Sequence, residues 1–229
     1  MKLNQQFSGF EMLGQPQPGE SISQPLVSSP RPHYRPEFFE TISKFVSRPS
    51  VVVELGSLIG EWAGEMLSRF PSIDGLFCVD IWAAGDGCAD PCVAGERQFQ
   101  SWLKRMEKWL YKTVFPCRGT TDFWAKVFPY EIDILYIDAN HDYVQVKKDM
   151  LNWAPLVRSG GLITGNDYER PYVRKAIKDA LRVLTGKEIE PDFLVSGPGN
   201  VLSFMWSNDK TEGSPDEDLC RSRDGMAGV

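Results

Sequence analysis

A handful of acidic, amide and imidazole side chains have the types and spacing to do chemistry. Glu54 stands at the start of Glu54-Leu55-Gly56-Ser57-Leu58-Ile59-Gly60, directly after the apolar run 51–53. Glycines at Gly56 and Gly60 let a backbone turn tightly and come close to a ligand. An acid just before such a turn suits a ligand bearing an ammonium better than one bearing phosphates. Asp80 follows 26 residues later, at the end of a second apolar run, where a carboxylate can accept both hydroxyls of a ribose. The pair therefore points to a nucleoside with a cationic amino-acid end. A dinucleotide fingerprint, Gly-x-Gly-x-x-Gly, would need a glycine where this chain has Leu58.

A second group comprises Asp138, His141, Asn166 and Asp167. Asp138 ends one strand-like run and Asn166-Asp167 end the next. Neighbouring strands lie ~4.8 Å apart, so these oxygens can converge on one hard cation. An Asp, Asp, Asn set completed by water suits Mg²⁺, which prefers oxygen ligands in an octahedron. Such a cation would lower the pKa of a substrate hydroxyl. His141, three residues after Asp138, has an imidazole that titrates in the range useful to a general base. Its competing role is to cap the helix that follows, although Asp142 is also placed to be that N-cap.

These residues need a scaffold that brings loop ends together. Phe38, Phe39, Ile42, Phe45 and Val46 predict a short amphipathic helix. From residue 50 onward strand and helix alternate. Apolar runs at 51–53, 76–79, 114–117, 132–137 and 162–164 read as strands, and 193–195 with 201–205 read as a closing hairpin around Ser-Gly-Pro-Gly-Asn. Tyr143, Val146, Met150, Trp153 and Val157 share one helical face, which Gly160-Gly161 should end. Residues 172–184 read as another helix. The pattern predicts an α/β fold, a Rossmann-like, mostly parallel seven-stranded sheet with helices on both faces and a C-terminal antiparallel hairpin. Ligands of such sheets sit beyond the carboxyl ends of the strands, where strand order reverses. Residues 1–35 read as an N-terminal arm or lid, 36–206 as the catalytic domain, and 207–229 as a polar, disordered tail.

Bulk properties narrow the function. The 229 residues, 42% of them hydrophobic, are enough for one sizeable core. A net charge of −6 with scattered Lys and Arg argues against a nucleic-acid backbone as partner and for a small-molecule acceptor. No run of ~18 apolar residues is present to span a membrane. The five cysteines, Cys78, Cys88, Cys92, Cys117 and Cys220, are odd in number. Cys78 and Cys117 sit in strand-like runs as buried free thiols, which fits a reducing cytoplasm. Cys88 and Cys92 have no second ligand pair nearby to make a zinc site. The stripe Phe99, Trp102, Met106 and Trp109 reads as core or as a homo-oligomer surface, Lys147-Lys148 as a solvated face, and Asp149 as a solvent-facing or capping residue.

Three segments together resemble a known family. Val53-Glu54-Leu55-Gly56-Ser57, Cys78-Val79-Asp80-Ile81-Trp82 and Tyr136-Ile137-Asp138-Ala139-Asn140-His141-Asp142-Tyr143 are similar to class I S-adenosylmethionine-dependent methyltransferases. The subgroup is the one with Asp-x-x-His-x-Tyr after the fourth strand, and Asp149-x-x-x-Trp153 and Ser159-Gly160-Gly161-Leu162-Ile163 continue the match. The resemblance implies that Glu54, Gly56, Ser57 and Gly60 hold the methionine part of S-adenosylmethionine and Asp80 the ribose. Ile81, Trp82, Thr121 and Asp138 complete the implied cofactor set, the Gly119-Thr120-Thr121-Asp122 turn lying by the adenine. Trp82 either packs on the base or belongs to the core. In metal-assisted small-molecule and sugar O-methyltransferases, Asp138, Asn166 and Asp167 fall on metal-ligand positions and His141 on that of the base. The chain departs from many relatives in having Ala139-Asn140 for Gly-Asp or Gly-Ser, and Asn166-Asp167 for a paired Asp. The implied reaction is O-methylation of a small hydroxylated acceptor, its substrate selected by the arm, the 83–95 loop and the Tyr168 region. The rivals are a nicotinamide-dependent oxidoreductase and a non-catalytic nucleoside-binding module.

Overall fold

Val51, Val53 and Leu55 alternate with Ser50, Val52 and Glu54 along the first strand, and both sets are buried. Successive strand residues face opposite ways, so this strand must lie mid-sheet with layers on either side. The computed structural model shows that arrangement and describes residues 36–46, 50–82, 95–196 and 202–208. The expected arm at 1–35, the Cys88/Cys92 loop, the Ser-Gly-Pro-Gly-Asn turn and the tail beyond residue 208 lie outside the described residues.

The strands are β1 (Ser50–Leu55), β2 (Ile73–Asp80), β3 (Val114–Arg118), β4 (Ile132–Ile137), β5 (Val157–Gly165), β6 (Phe193–Ser196) and β7 (Leu202–Asn208). They form one sheet in the order β3-β2-β1-β4-β5-β7-β6. The first five run parallel, and β7 is antiparallel to both of its neighbours. Three helices, α1 (Pro36–Ser43), α2 (Glu61–Arg69) and α3 (Gly95–Met106), cover the face that carries Val52, Cys78 and Tyr136. The other three, α4 (Thr121–Val127), α5 (Tyr143–Trp153) and α6 (Pro171–Thr185), cover Val53, Val79 and Ile137. The α3 stripe resolves as core, with Phe99, Trp102 and Met106 buried. Cys78 and Cys117 are free and buried. Among the described residues no helix is long and apolar enough to cross a membrane.

Two boundaries differ from the sequence pattern. The helical face through Val157 predicts one helix up to Gly160-Gly161, yet α5 ends at Trp153 and a single 3-10 turn (Ala154–Leu156) follows. Pro155 has no N–H to donate to the Leu151 carbonyl, so the α-helix cannot continue through it. Val157 instead opens β5, and the glycine pair shapes an irregularity in the pairing of β4 with β5. Gly160 has φ +68°, and a Cβ on Gly161 would lie 2.6 Å from Val157 Cγ1. The second difference is at the C-terminus, where β7 runs to Asn208, two residues past Trp206. Asn208 is buried and its amide donates to the Val157 carbonyl at 2.7 Å.

Asp133, a charged residue within β4, has a defined job. Its carboxylate accepts from the Val51 N–H at 2.8 Å and from Arg158 Nε at 2.6 Å, tying the starts of β1 and β5 to β4. Removing one partner of a mostly buried ion pair leaves the other charge uncompensated. Asp133→Ala is therefore expected to destabilise the fold by about 3 kcal/mol in urea unfolding. A loss below about 1 kcal/mol would show that Arg158 is solvated rather than paired.

Candidate active site

The pleat and the register decide which acids meet. Glu54 pairs with Cys78 on β2 and with Tyr136 on β4. Asp80 and Asp138 lie two residues further along their strands, so they project to the same face as Glu54 at the carboxyl end. Here the strand order reverses, with β2 on one side of β1 and β4 on the other. The loops at this point are in contact. Gly56, at φ +86°, donates its N–H to the Val79 carbonyl at 2.8 Å, and the Asp138 N–H donates to the Leu55 carbonyl at 2.8 Å. A Cβ on Gly56 would stand 2.2 Å from the Asp138 carbonyl oxygen, which excludes any larger residue. Gly60, at φ +76°, lets α2 pack on α3, since a Cβ there would meet Met106 and Trp102 at 2.8 Å.

The acids of the first two strands are held by the loop itself. Glu54 is only 2% exposed and accepts a short hydrogen bond from the Ser57 hydroxyl. Ser57 in turn accepts from the Trp102 indole N–H at 2.8 Å. Burial, reinforced by repulsion from Asp138 and Asp80 and opposed by the Ser57 and Cys78 hydrogen bonds, pushes the Glu54 carboxyl up to about 8. The same carboxyl carries the Ser57 hydroxyl, and so anchors the Gly56 loop. Asp80 accepts from the Leu58 N–H at 2.8 Å and from the Trp82 N–H at 2.9 Å. Burial raises its pKa, and these backbone donors pull it partly back. Backbone hydrogen bonds from Ser57 and Ile81 act in the same direction, so the carboxylate is held in place by the backbone around it.

Of the two readings of Trp82, the core one describes its place. Its ring is fully buried against Phe99 and Trp102, and its indole N–H donates to the Leu58 carbonyl at 2.7 Å. The apolar side chains at this rim are instead Ile81, 38% exposed, and Leu58, 47% exposed. Thr121 faces α5. Its hydroxyl donates to Asp149 at 2.6 Å and accepts from the Gln145 amide at 3.1 Å, while its carbonyl accepts from the Trp153 indole at 3.2 Å. Asp149, expected at the surface or on a helix end, is fully buried, because Thr121 and Gln145 draw it inward. The Asp149-x-x-x-Trp153 spacing, one helical turn, thus grips a single residue by side chain and backbone. Lys148 is exposed and paired with Asp122 at 2.8 Å.

The third cluster is Asp138, His141 and Asp167, whose ligating atoms lie within 4.8 Å of one another. His141 Nε2 is 2.6 Å from Asp167 Oδ2 and 3.5 Å from Asp138 Oδ1. His141 is therefore not a helix cap. Asp142 occupies the N-cap position of α5, where its N–H is bonded by the Asn140 side chain. Asn166 lines the same cavity as Asp138 and His141. Asn166 continues the alternation of β5, and its side-chain oxygen accepts from the Ser203 hydroxyl at 3.3 Å. Asp167 adopts φ +59°, which turns it toward His141.

The charges of this cluster are coupled. Hydrogen bonds to Asp138 and Asp167 outweigh burial and raise the His141 imidazole to about 9. Burial and the neighbouring Asp167 charge raise Asp138, against the bonds from His141 and Tyr136. Burial also acts to raise Asp167, but the hydrogen bond and charge of His141, with Arg170, hold it below the usual carboxylate range. Tyr136 is a contributor that motif reading missed. Its hydroxyl donates to Asp138 Oδ2 at 3.2 Å, and its ring stacks on Trp62 at 4.2 Å with Phe38 edge-on. The available signal was a tyrosine two residues before Asp138 in an otherwise aliphatic strand end. Tyr168 points elsewhere, its hydroxyl donating to Glu190 at 3.0 Å.

A doubly wound sheet with an antiparallel seventh strand next to the fifth, and an acidic rim at its reversal point, defines the class as Rossmann-like methyltransferases. Residues 53–168 match the family model described as a methyltransferase domain, and the chain belongs to that family of enzymes. No curated protein matches it in sequence. Solved structures share its fold. The O-methyltransferase NovP superposes with a TM-score of 0.55 at 17% identity, over 75% of this chain and 80% of that one. An O-methyltransferase from Bacillus cereus, in complex with SAH, gives 0.53 at 14% identity over 76% and 83%. The O-methyltransferase TomG from Streptomyces achromogenes, in complex with SAM, gives 0.53 at 11% over 73% and 77%.

Asp149 gives this region a pH signature. Burial first, against the Thr121 and Gln145 hydrogen bonds, raises its carboxyl from 3.8 to about 6, and its second oxygen has no partner among the described residues. The folded chain then holds a proton that the unfolded chain releases, so stability is greatest below pH ~4 and falls as pH rises through ~6, by about 3 kcal/mol in full. Asp149→Asn abolishes that titration. Between about pH 4.5 and 7.5 its urea stability relative to wild type should rise by about 2 kcal/mol. A difference that stays constant with pH would mean that the carboxylate is charged in the fold.

Proposed function

We propose that this enzyme moves the methyl group of S-adenosylmethionine onto an oxygen of a small hydroxylated acceptor, with His141 as the base. The observation that carries the reading is the position of His141, between Asp138 and Asp167, beside the point where the Gly56 loop presses on the Asp138 backbone. The fold shared with three O-methyltransferases, one in complex with SAH and one with SAM, supports the donor and the oxygen acceptor.

The residues present fit the donor. Asp80 is set at the rim by backbone donors as the carboxylate for ribose hydroxyls, Leu58 and Ile81 flank it with apolar surface, and Gly56 lets the loop turn tightly beside Asp138. The Thr121 turn is the expected neighbour of the adenine. Leu58 fills the place where a pyrophosphate-binding loop needs glycine, which disfavours the nicotinamide-dependent alternative. S-adenosylmethionine supplies a methyl carbon activated by positive sulfur. As the new carbon–oxygen bond forms, the carbon–sulfur bond breaks, sulfur keeps the electron pair, and the acceptor's proton passes to the neutral form of the His141 imidazole, whose share grows as pH rises toward about 9. The chain's work is alignment and removal of that proton. Two carboxylates beside the imidazole make neutral His141 a stronger base than free histidine. Asp138 and Asp167 orient it, and Tyr136 and Arg170 orient them.

Metal assistance is a finer part of the proposal. Asp138 and Asp167 are the residues that would hold a Mg²⁺, with Asn166, whose side-chain oxygen keeps a second lone pair beside its bond from Ser203, as a further oxygen donor. The ion would supply positive charge that lowers the pKa of an acceptor hydroxyl.

Calorimetry should show binding of S-adenosylhomocysteine and none of NADH; the reverse result would sink the donor assignment. With labelled donor and a panel of hydroxylated acceptors, His141→Ala should cut kcat by about 10²- to 10⁴-fold while S-adenosylhomocysteine affinity stays within about twofold. Full turnover in that variant would remove His141 from the reaction. Chelator-treated enzyme should regain rate on addition of Mg²⁺, and a flat titration would eliminate the metal.

A further inference from the structure

Position 58 has the backbone of a glycine and the side chain of a leucine. Leu58 sits at φ +48° and Trp82 at φ +37°, both in the left-handed region. That region costs a residue with a Cβ about tenfold or more in population, and such strain persists only where the surroundings over-determine it. Both backbone polar groups of Leu58 are taken. Its N–H donates to Asp80 Oδ2 at 2.8 Å, and its carbonyl accepts from the Trp82 indole N–H at 2.7 Å. The Trp82 backbone N–H returns to Asp80 Oδ1 at 2.9 Å, closing a ring of Asp80, Leu58 and Trp82. The indole has no room to drift, since its ring centroid is 4.8 Å from that of Phe99 and 5.4 Å from that of Trp102.

We infer that Trp82 is a positioning residue for the methyl donor, its indole N–H holding Leu58 left-handed so that the Asp80 carboxylate and the rim beside it are set before the ligand arrives. The inference rests on the donor reading above and extends it to a residue that touches no ligand. It also accounts for a fully buried tryptophan with its polar edge turned to a loop carbonyl rather than to solvent. Ordering the loop in advance spares the ligand the entropy of doing so.

The test is a double-mutant cycle read by calorimetry with S-adenosylhomocysteine. Trp82→Phe keeps an aromatic ring in the cluster and deletes the N–H. It should weaken binding about tenfold and raise the donor KM in step, with kcat at saturating donor within about twofold. In the Leu58→Gly background glycine takes the left-handed conformation freely. There, adding Trp82→Phe should cost less than about twofold. Loss of packing alone would cost the same in both backgrounds, and that outcome overturns the inference. Phe99→Leu, which trims the same cluster but leaves the indole N–H, should lower Tm and leave affinity within about twofold. Should Trp82→Phe not fold, Leu58→Gly decides by itself. A Tm within about 2 °C of wild type, or above it, supports strain at position 58, and a larger fall refutes it. Wild-type protein that fails to bind S-adenosylhomocysteine refutes the donor reading instead, so the two failures are distinguishable.

Discussion

At the carboxyl end of the sheet, Glu54, Asp80, Asp138 and Asp167 lie close enough for their charges to act on one another. Like charges in a poorly solvated setting cannot all persist, and each is neutralised by a different device. Burial raises the Glu54 carboxyl, which accepts from the Ser57 hydroxyl. Asp80 is met by backbone N–H groups, those of Leu58 and Trp82 among them. Asp138 and Asp167 share the cation on His141, and Arg170 adds a second positive charge to Asp167. The loop conformations follow from these arrangements, because the donors to Asp80 are the loop's own amides.

Aromatic residues provide the rigid backing. Two indoles, those of Trp82 and Trp102, donate to neighbouring residues of the Gly56 loop from the α3 side. Tyr136, stacked on Trp62, reaches the same rim from β4 and bonds Asp138. A stacked ring has few ways to move, so a polar atom at its edge is placed nearly as firmly as a backbone group. On the opposite face, Asp149 and Trp153 do the same for Thr121, fixing the turn into α4. Each wall of the crevice is thereby tied to a core helix.

The alternation of apolar strands and amphipathic helices was legible because burial on both faces demands continuous apolar runs, as in 51–53 and 132–137. Motif spacing also identified Glu54, Asp80, Asp138 and His141 as residues of one rim, since strand ends in a parallel sheet share an edge. The end of α5 was misread because the apolar period runs smoothly through Val157, and the single missing N–H of Pro155 outweighs it. Asp149 was misread because a lone acid on a helix carries no mark of the hydroxyl that will draw it inside.

By itself the chain determined the element order, the sheet class and the identity of its reactive groups, all of which depend on local period and residue type. Tertiary structure decided how those groups are used. A left-handed backbone at Asp167 turned it to His141, while Asn166 beside it met Ser203. Burial raised the Glu54 carboxyl, and the hydrogen bonds of Asp138 and Asp167 raised the His141 imidazole, because protonation depends on neighbours that only folding brings near. Packing likewise turned the Trp82 indole toward the Leu58 carbonyl, a contact between residues 24 positions apart.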